Sequence, residues 1–383
     1  MNNNNKIQFE QLGNHITQID NRVRESNKQY TLDDIEGISS IYKEFQKTKA
    51  NLVDVTVDGY KICPPNCFAY NPNTARMGDK IPIALNKYKK DVLVSSIYPV
   101  FKVNENIILP EYLLLYFKRS EFDRYARYMS TGSAREIFDW DEMCRVELPV
   151  PDLKVQETII NTYNNITKRI QLKQKINENL AKTVQCLFEN IFKHELQKEE
   201  TSFTDVIDLL GGGTPSTAEK AYWNGNIPFF APADIEKSIF CFSTEKNLTE
   251  EGLNNCSSKL YPKNTTFVTC RGTVGKLALA GTPMAMNQSC YALKDKNGQY
   301  PFFTYSFTKF TVSKLKNKAS GAVFSALVTR DFEMEKVFNP NLEKIKEYET
   351  KSSSIFEYIS SNEKEIAKLK ELKQLVISSI SGM

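Results

Sequence analysis

The residues that could support metal or nucleophile chemistry are few in this chain of 383 residues. Cys63 and Cys67 form a C-x3-C pair, but a structural zinc site requires four ligands and no second pair with matching spacing follows. The two histidines, His15 and His194, lie far apart, so the sequence indicates neither a Ser-His-Asp set nor a histidine-based metal hydrolase. We therefore expect no metal site and eight free cysteines, with Cys63 and Cys67 buried or in a loop.

Two glycine-rich stretches, at residues 211–213 and 271–277, invite comparison with phosphate-binding loops. Neither matches the G-x4-G-K-[S/T] pattern whose backbone N–H groups cradle a nucleotide phosphate. We expect the first stretch to form a tight turn, and Gly272 and Gly275 to take positive φ in a hairpin. The CPPN string at residues 63–66 lacks both ends of the [N/D]-P-P-[Y/F] motif of adenine methyltransferases. The sequence therefore predicts that the protein is not an enzyme, and a self-sufficient enzyme is the disfavoured alternative.

The composition is that of a folded protein with mixed charge. The chain has 50 basic and 46 acidic residues, which permits nucleic-acid binding but does not by itself indicate it. Hydrophobic residues make up 41% of a chain that is long enough for two domains. No apolar run reaches the ~18 residues that span a bilayer, and the first residues lack the order of a signal peptide. We expect no membrane partner and a reducing, cytoplasmic location.

Two glycine-free stretches, at residues 152–194 and 341–380, predict long helices. Each carries a seam, mostly apolar, at alternating spacings of three and four residues, a mean of about 3.5 that is typical of a coiled coil. The first seam contains Ile159, Tyr163, Ile166, Ile170, Lys173, Asn177, Leu180, Val184, Leu187 and Ile191. The second contains Ile345, Tyr348, Ser352, Ile355, Ile359, Asn362, Ile366, Leu369, Lys373, Val376 and Ile380. We expect the helices to pair; the alternative is that each packs on a globular core.

The chain before each helix is also repeated. Gly132 matches Gly321 at an offset of 189 residues, and Lys173 matches Asn362 at the same offset. Residues 90–96 (KDVLVSS) resemble residues 264–270 (NTTFVTC), and both segments are predicted strands. We therefore predict an α+β fold in which two similar globular α/β domains are separated by a pair of long antiparallel coiled-coil helices, with a pseudo-two-fold internal repeat. The predicted boundaries are 1–150, 151–199, 200–339 and 340–383.

Within the first half, residues 90–103 predict two strands about a turn at 97–99. Residues 110–129 predict a single helix with proline at its first position. Its apolar face comprises Leu113, Leu114, Phe117 and Phe122, and its other face carries Lys118, Arg119, Arg124 and Arg127. We expect the cationic face to be solvated; the alternative is that it contacts phosphate.

Several motifs, in order along nearly the whole chain, resemble one known family. They include GGGTPSTAEKAYWNGNIPFFAPADI at residues 211–235 and LPVPDLKVQETI at residues 148–159. Similar strings in the first half are EGISSIYKEF, YNPNTARMGD and VSSIYPVFKVNENIILPEYLLLYF, and in the second TCRGTVGKLALAG and MNQSCYAL. The family is that of the specificity subunits of type I restriction–modification systems. The second helix entry, residues 338–349, departs from the family's proline-rich, glutamine-containing version.

The resemblance implies a sequence-specific DNA-recognition subunit. Residues 1–150 and 200–339 would be target-recognition domains, each reading one half of a bipartite, asymmetric site in double-stranded DNA. The central conserved helix (151–199) and the C-terminal conserved helix (340–383) would set the spacer and dock two modification subunits, which methylate adenine. Restriction subunits would join them to translocate and cut DNA. The resemblance implies no cofactor in this chain, with S-adenosylmethionine, ATP and Mg on the partner subunits.

Candidate DNA-contacting residues are polar or cationic side chains on presented loops. In the first half they are Asn73, Arg76, Ser96, Tyr98, Ser133 and Arg135, and in the second half Thr214, Ser216, Trp223, Arg271, Thr273, Lys276 and Gln288. The alternative for each is a turn residue or a surface charge. Trp223 is favoured as a core residue, and Tyr98 could equally pack beneath its turn. The alternative for the whole chain is a coiled-coil interaction scaffold that does not bind DNA.

Overall fold

The structure, a computed structural model, describes residues 9–73, 80–130, 136–235, 238–318 and 326–380. The chain divides into two compact units. Unit 1 comprises residues 1–169 and 369–383, and unit 2 comprises residues 170–368. Each unit therefore includes part of both long helices, and each is described separately below. The domain boundaries stated above stay a prediction.

Unit 1 is built on an antiparallel sheet of short strands. Its strands are β1 (Phe9–Gln11), β2 (Ile16–Ile19), β3 (Glu36–Ile38), β4 (Phe45–Lys47), β5 (Lys61–Cys63), β6 (Phe68–Tyr70), β7 (Ile83–Leu85), β8 (Val92–Val94), β9 (Val100–Val103) and β10 (Glu147–Pro149). Its helices are α1 (Pro110–Phe117), α2 (Ser120–Tyr128), α3 (Trp140–Arg145) and the first part of α4 (Leu153–Ile191). The main sheet has the order β2-β9-β6-β7, and the pairs β1-β10, β3-β4 and β5-β8 form separate ladders.

The core of unit 1 lies between this sheet and α1. The ring of Phe68 on β6 stacks on Phe101 of β9 with centroids 5.1 Å apart. Phe117 of α1 meets Phe68 edge-on at 5.5 Å. Burying large aromatic side chains removes much apolar surface from water, which is the main stabilising term for such a small sheet. The packing thus holds β6 and β9 in a fixed position under the helix.

The single helix predicted at residues 110–129 is instead two helices. Arg119 is in an extended conformation, with φ −75° and ψ 142°, and it separates α1 from α2. Pro110 does occupy the first turn of α1. The predicted apolar face is buried, which confirms Leu113, Leu114, Phe117 and Phe122 as core residues.

The prediction of a solvated cationic face is wrong for the two cations at this break. Lys118 donates to the carboxylate of Glu44 at 3.3 Å, and burial lowers the pKa of its ammonium group. Arg119 is only 7% exposed, and its guanidinium lies 4.9 Å from the ring centroid of Tyr116. Both side chains therefore stabilise the unit internally. The remaining two, Arg124 and Arg127, keep side chains 69% and 41% exposed.

Unit 2 contains a larger version of the same sheet. Its strands are β11 (Thr201–Ser202), β12 (Ile207–Gly211), β13 (Trp223–Phe230), β14 (Phe240–Cys241), β15 (Lys246–Leu248), β16 (Thr266–Thr269), β17 (Leu277–Ala280), β18 (Ala285–Met286), β19 (Cys290–Asp295) and β20 (Lys336–Val337). Its helices are α5 (Phe203–Val206), α6 (Glu250–Asn254), α7 (Pro301–Lys318), α8 (Thr329–Met334) and most of α9 (Leu342–Ser379). The sheets have the orders β12-β19-β16-β17-β14 and β15-β13-β18, and β11 pairs with β20.

The internal repeat is visible in the topology. The order β2-β9-β6-β7 in unit 1 recurs as β12-β19-β16-β17 in unit 2, with antiparallel pairing throughout. A helix beginning with proline follows each sheet, at Pro110 and Pro301. The long helices begin at Leu153 and Leu342, which are separated by the predicted offset. The predicted α+β fold with two similar halves is confirmed.

One detail of the predicted repeat is wrong. Residues 90–96 contain β8, which forms a ladder with β5 and lies outside the main sheet of unit 1. The strand that corresponds to β16 is β6. Strand β6 lies between β9 and β7 in its sheet, and β16 lies between the equivalent strands β19 and β17. Three-residue strands carry too little pattern to show which strand they pair with, so a similar string was a poor guide. The matched pair Gly132 and Gly321 lies outside the described residues.

The long helices pair in opposite directions. In unit 1, Tyr163 near the start of α4 shares a core with Ile377 near the end of α9. In unit 2, Phe188 near the end of α4 shares a core with Tyr348 near the start of α9. The predicted antiparallel pair is therefore confirmed. At the end of α4 the fully buried residues are Phe188 and Phe192, each one position after the predicted Leu187 and Ile191, because a 3.6-residue helix drifts against a 3.5-residue pattern.

A polar layer interrupts the seam within unit 2. Lys173 Nζ donates to Asn362 Oδ1 at 2.8 Å, and Asn362 Nδ2 donates to Asn177 Oδ1 at 2.9 Å. Lys173 also forms an ion pair with Glu365 at 2.8 Å. Lys173 and Asn362 occupy equivalent places in the repeat, so two equivalent positions of the helices contact each other here. Polar residues at such positions specify the register of helix pairing.

The predicted cysteine chemistry agrees with the structure. All eight cysteines are free, and Cys63 and Cys67 are buried. The Cys63 thiol donates to the carbonyl oxygen of Cys67 at 3.5 Å. In the described part of the chain, no cluster of three or more His, Cys, Asp or Glu residues could hold a metal ion. None of the helices found there is both long and apolar enough to cross a membrane.

A half-buried carboxylate on α9 holds the start of α7. Glu349 accepts hydrogen bonds from the backbone N–H groups of Phe302 at 3.2 Å and Phe303 at 2.8 Å. In unit 1 a neutral side chain meets the corresponding segment, because Gln156 of α4 accepts from the N–H of Leu109 at 2.8 Å. Burial raises the pKa of Glu349 from its ordinary 4.5 to about 7. The folded protein thus binds this proton more tightly than the unfolded chain does.

We predict that Glu349→Gln removes one source of pH-dependent stability. Because the pKa of Glu349 is higher in the folded state, its contribution to the free energy of unfolding is fully present below about 4.5 and is lost as the pH rises through about 7. Urea unfolding at several pH values should show the native protein losing stability relative to the variant over this interval. Glu347→Gln, at an exposed carboxylate that pairs with Lys351, is the control. Parallel pH profiles for the native protein and Glu349→Gln would contradict the assignment.

Candidate nucleic-acid interface

Three segments of unit 2 meet at one edge of its main sheet. Strands β12 and β16 end there and strands β19 and β17 begin there, as the pairs Gly211–Tyr291 and Thr269–Cys290 show. The segments are the loop after β12 (residues 212–222), the β16–β17 loop (270–276) and the turn before β19 (287–289). We call this the polar edge of unit 2. Six of the predicted DNA-contacting residues lie on it: Thr214, Ser216, Arg271, Thr273, Lys276 and Gln288.

Glycine allows the first and third of these segments to touch. A Cβ atom on Gly212 would lie 2.3 Å from the carbonyl oxygen of Asn287. The Gly213 N–H donates to the carbonyl oxygen of Met286 at 3.2 Å. Gly212 and Gly213 therefore allow the neighbouring backbone to come close. Neither of them has a positive φ. This approach brings Thr214 to Gln288, where the threonine hydroxyl donates to the amide oxygen.

The β16–β17 loop is held by its own backbone. Gly272 and Gly275 have φ values of 77° and 68°, as predicted. The Thr269 hydroxyl accepts from the N–H of Lys276 at 3.1 Å and donates to the carbonyl oxygen of Thr273. Side chains that the loop does not use for its own folding remain available to a ligand. Those of Arg271, Thr273 and Lys276 are all exposed.

The cations at this edge form no ion pair with a carboxylate among the residues that the structure describes. Lys316 on α7 donates to the carbonyl oxygen of Gly275 at 2.9 Å. Burial and the neighbouring Lys276 lower the pKa of the Lys316 ammonium group. Across the described ranges, no carboxylate forms an ion pair with Arg271, Lys276 or Lys316. In contrast, Lys318 two residues further along α7 pairs with Glu335 at 2.9 Å. An anionic ligand would supply the missing partner.

Unit 1 has an equivalent polar edge, with Asn73 in the place of Arg271. Asn73 follows β6 and bridges to Ile137, as Arg271 follows β16 and bridges to Ala326. The hydrogen bond from Phe138 N–H to the carbonyl oxygen of Pro72 (2.8 Å) matches the one from Leu327 N–H to Cys270 (2.9 Å). The backbone frame is therefore the same in the two units while the side chains differ.

Ser96 in unit 1 corresponds to Gln288 in unit 2. Ser96 lies in the turn before β9, and Gln288 lies in the turn before β19. Strands β9 and β19 occupy the same place in the two sheet orders. The Tyr98 N–H donates to the carbonyl oxygen of Ser95 at 3.0 Å, and the Cys290 N–H donates to that of Asn287 at 3.4 Å. Ser96 is exposed, whereas Tyr98 is half-buried beneath the turn and packs on the core formed around β5 and β8. Burial also raises the pKa of Tyr98.

The structure does not bring every predicted residue to these edges. Trp223 belongs to the three-stranded sheet, where its ring meets Phe229 edge-on at 5.6 Å and its indole N–H donates to the carbonyl oxygen of Ser216 at 3.1 Å. This placement matches the alternative of a core residue. Arg76, Ser133 and Arg135 lie outside the described residues.

Sequence reasoning missed Lys316. It lies on a helix far along the chain from the loop that it supports, so no local pattern marks it. The sequence did show that the last part of α7 is basic. In the structure, Lys314 and Lys318 have acidic partners there, and Lys316 has none among the residues described.

Comparison with known proteins is consistent with these features. Residues 196–375 match the family described as the type I restriction modification DNA specificity domain. The type I restriction enzyme HindI specificity subunit of Haemophilus influenzae is 24% identical over 369 residues, covering 74% of this chain and 79% of that protein. The MjaIX specificity subunit of Methanocaldococcus jannaschii is 34% identical over 128 residues, covering 32% of this chain and 29% of that protein.

A solved structure shows the same fold. The type I restriction–modification system S subunit from M. genitalium superposes with a TM-score of 0.57 at 12% identity, covering 99% of this chain and 98% of that one. The duplicated sheet carried with two long helices is therefore a fold that this chain shares with that subunit. Residues 196–375 match the specificity-domain family, and the chain as a whole is similar to type I restriction–modification specificity subunits. The relatives are named specificity subunits, which agrees with the prediction of a specificity subunit.

We predict that Lys316→Ala weakens binding of the assembled complex to DNA of any sequence. A lysine that neutralises one phosphate releases about one counterion, so the slope of log affinity against log salt should fall by about one. The matched control is Lys296→Ala, at the opposite end of β19, where Lys296 pairs with Asp208 at 2.6 Å. Fluorescence anisotropy at several salt concentrations measures both slopes. An unchanged slope for Lys316→Ala, or equal changes in the two variants, would contradict the phosphate contact.

Proposed function

We propose that each unit reads one half of a bipartite, asymmetric site in double-stranded DNA with its polar edge. The observation that carries this proposal is the equivalence of the two edges. Asn73 corresponds to Arg271 and Ser96 corresponds to Gln288, so the same backbone frame presents different hydrogen-bonding groups. Two similar readers with different side chains suit a target whose halves differ in sequence.

The chemistry of the edges supports recognition of both backbone and bases. Lys276 and Lys316 have no acidic partner among the described residues, and phosphate oxygens would provide one. Arginine and glutamine side chains, such as those of Arg271 and Gln288, form bidentate hydrogen bonds with base edges. The chain's net charge is only +4, so it is the local excess of charge at the edge that favours DNA. A coiled-coil scaffold without DNA binding would have no use for these cations.

We propose that the paired helices set the spacer between the half-sites. The helices run antiparallel, and the polar layer of Lys173, Asn177 and Asn362 specifies their register. A helix rises about 1.5 Å per residue, so a heptad adds roughly 10 Å, which is the length of about three base pairs.

The proposal predicts the outcome of a paired insertion. One heptad is added after Asn177 in α4 and a matching heptad before Asn362 in α9, so that the seam stays continuous. Methylome sequencing of cells carrying the complex should show both half-sites unchanged and a spacer longer by about three base pairs. Insertion into α4 alone is the control, because it leaves seven residues unpaired and should lower stability. An altered half-site with the original spacer would reject the proposal, as would a complex without sequence-specific binding in a gel shift.

We also propose that the helices dock two modification subunits, joined by restriction subunits. Apolar residues one turn apart face solvent on each helix, at Leu172 and Ile176 on α4 and at Leu372 and Leu375 on α9. The most exposed are Leu375 at 65% and Leu172 at 53%. Exposed apolar pairs at helical spacing are typical of a helix-packing partner surface. In this proposal S-adenosylmethionine, ATP and Mg are bound by the partner subunits; the cytoplasmic location stays a prediction.

We predict that Leu172→Glu weakens assembly with the modification subunits. A charge in the middle of an apolar contact loses its hydration without gaining a partner, so affinity should fall by at least about tenfold. Gln174→Glu adds the same charge at an exposed polar position of the same helix and is the matched control. Size-exclusion chromatography of the co-expressed subunits measures assembly, and thermal unfolding checks that both variants fold. Equal assembly of the two variants would place the docking surface elsewhere.

A further inference from the structure

The polar edge of unit 2 contains a hydrogen bond between two side chains from distant parts of the sequence. Thr214, in the loop after β12, donates its hydroxyl to the amide oxygen of Gln288, in the turn before β19. Both residues are exposed. The two lie 74 residues apart in sequence, so the contact exists only because the sheet brings these segments together.

The turn that carries Gln288 is held on both sides by backbone. Asn287 N–H donates to the carbonyl oxygen of Phe230 at 2.9 Å, and Cys270 N–H donates to that of Ser289 at 2.8 Å. The Asn287 side chain accepts from the N–H of Ser289 at 3.0 Å. The residues on either side of Gln288 are thus fixed, and its side chain projects from a rigid support.

The hydroxyl of Thr214 orients the amide of Gln288 and leaves hydrogen-bonding groups of that amide available to a base. An amide oxygen accepts two hydrogen bonds and an amide nitrogen donates two. With Thr214 on one lone pair of Gln288, one acceptor position and both N–H groups remain. An acceptor beside a donor matches adenine, which presents N7 as an acceptor and N6–H as a donor in the major groove. Guanine presents two acceptors there, and cytosine presents a donor without an adjacent acceptor.

We propose that Gln288 reads an adenine in the major groove of one half-site and that Thr214 is its positioning residue. The inference rests on the proposed function, since it names the base contact of that same edge. Arg271 stands beside this position, because the strand pair Thr269–Cys290 continues through the bond from Cys270 to Ser289. Lys276 and Lys316 attract DNA of any sequence, whereas the neutral amide of Gln288 contributes selectivity.

The first test is Gln288→Glu in the complete complex with its modification subunits. Glutamate has the same shape but only accepts, so it pairs with the N4 amino group of cytosine and not with adenine. The recognised sequence, read by methylome sequencing and by competition binding with single-base variants, should change at one position from adenine towards cytosine. Preference for adenine there should fall roughly 5- to 150-fold. An unchanged recognition sequence would overturn the inference.

The second test separates positioning from bulk structure. Thr214→Val removes the hydroxyl at constant shape and should reduce discrimination at the same position, while affinity for non-specific DNA stays unchanged. Thr214→Ser restores the hydroxyl and should restore discrimination. Equal discrimination by the valine and serine variants would overturn the positioning role. If the native complex discriminates half-sites but Gln288→Glu leaves every position unchanged, only this inference fails; if the native complex discriminates none, the proposed function fails.

Discussion

The register of α4 against α9 is the constraint on which both units depend. Each helix contributes to both cores, so a slip along the seam would displace Tyr163 from one core and Tyr348 from the other. The polar layer opposes such a slip. Asn362 is 1% exposed and is satisfied on both sides by Lys173 and Asn177. Burying its amide without partners would cost about 1–3 kcal/mol, so one alignment of the helices is preferred.

The two units share the backbone frame of the polar edge but differ in the side chains that the frame carries. The bonds that hold each polar edge are made by backbone groups, such as Phe138 N–H to Pro72 and Leu327 N–H to Cys270. Backbone bonds tolerate many side chains at the position between them, which is where Asn73 and Arg271 lie. A duplicated sheet can therefore carry different side chains at equivalent positions without being rebuilt. The positions that change are the ones from which base recognition follows in our proposal.

The sequence predicted the parts of this fold that depend on local periodicity. The long helices, their seam and Gly272 and Gly275 were found as expected, because helical spacing and positive φ leave marks on neighbouring residues. Long-range features were not predictable in the same way. The equivalence of β6 with β16 follows from strand pairing, and the support of Gly275 by Lys316 follows from a helix that packs against the loop. Neither relation has a local signature.

Because both units share the long helices, the two units cannot complete their folding in the order in which their residues are synthesised. Unit 2 is one continuous stretch of chain, so all of its parts are present once Lys368 has left the exit tunnel. Unit 1 contains residues that precede unit 2 but needs Ile377 and Ile380, which follow unit 2, to fill its core. The part of unit 1 that precedes unit 2 must therefore wait, incompletely packed, until the end of α9 has been synthesised. The half that is synthesised second is the first that can finish folding.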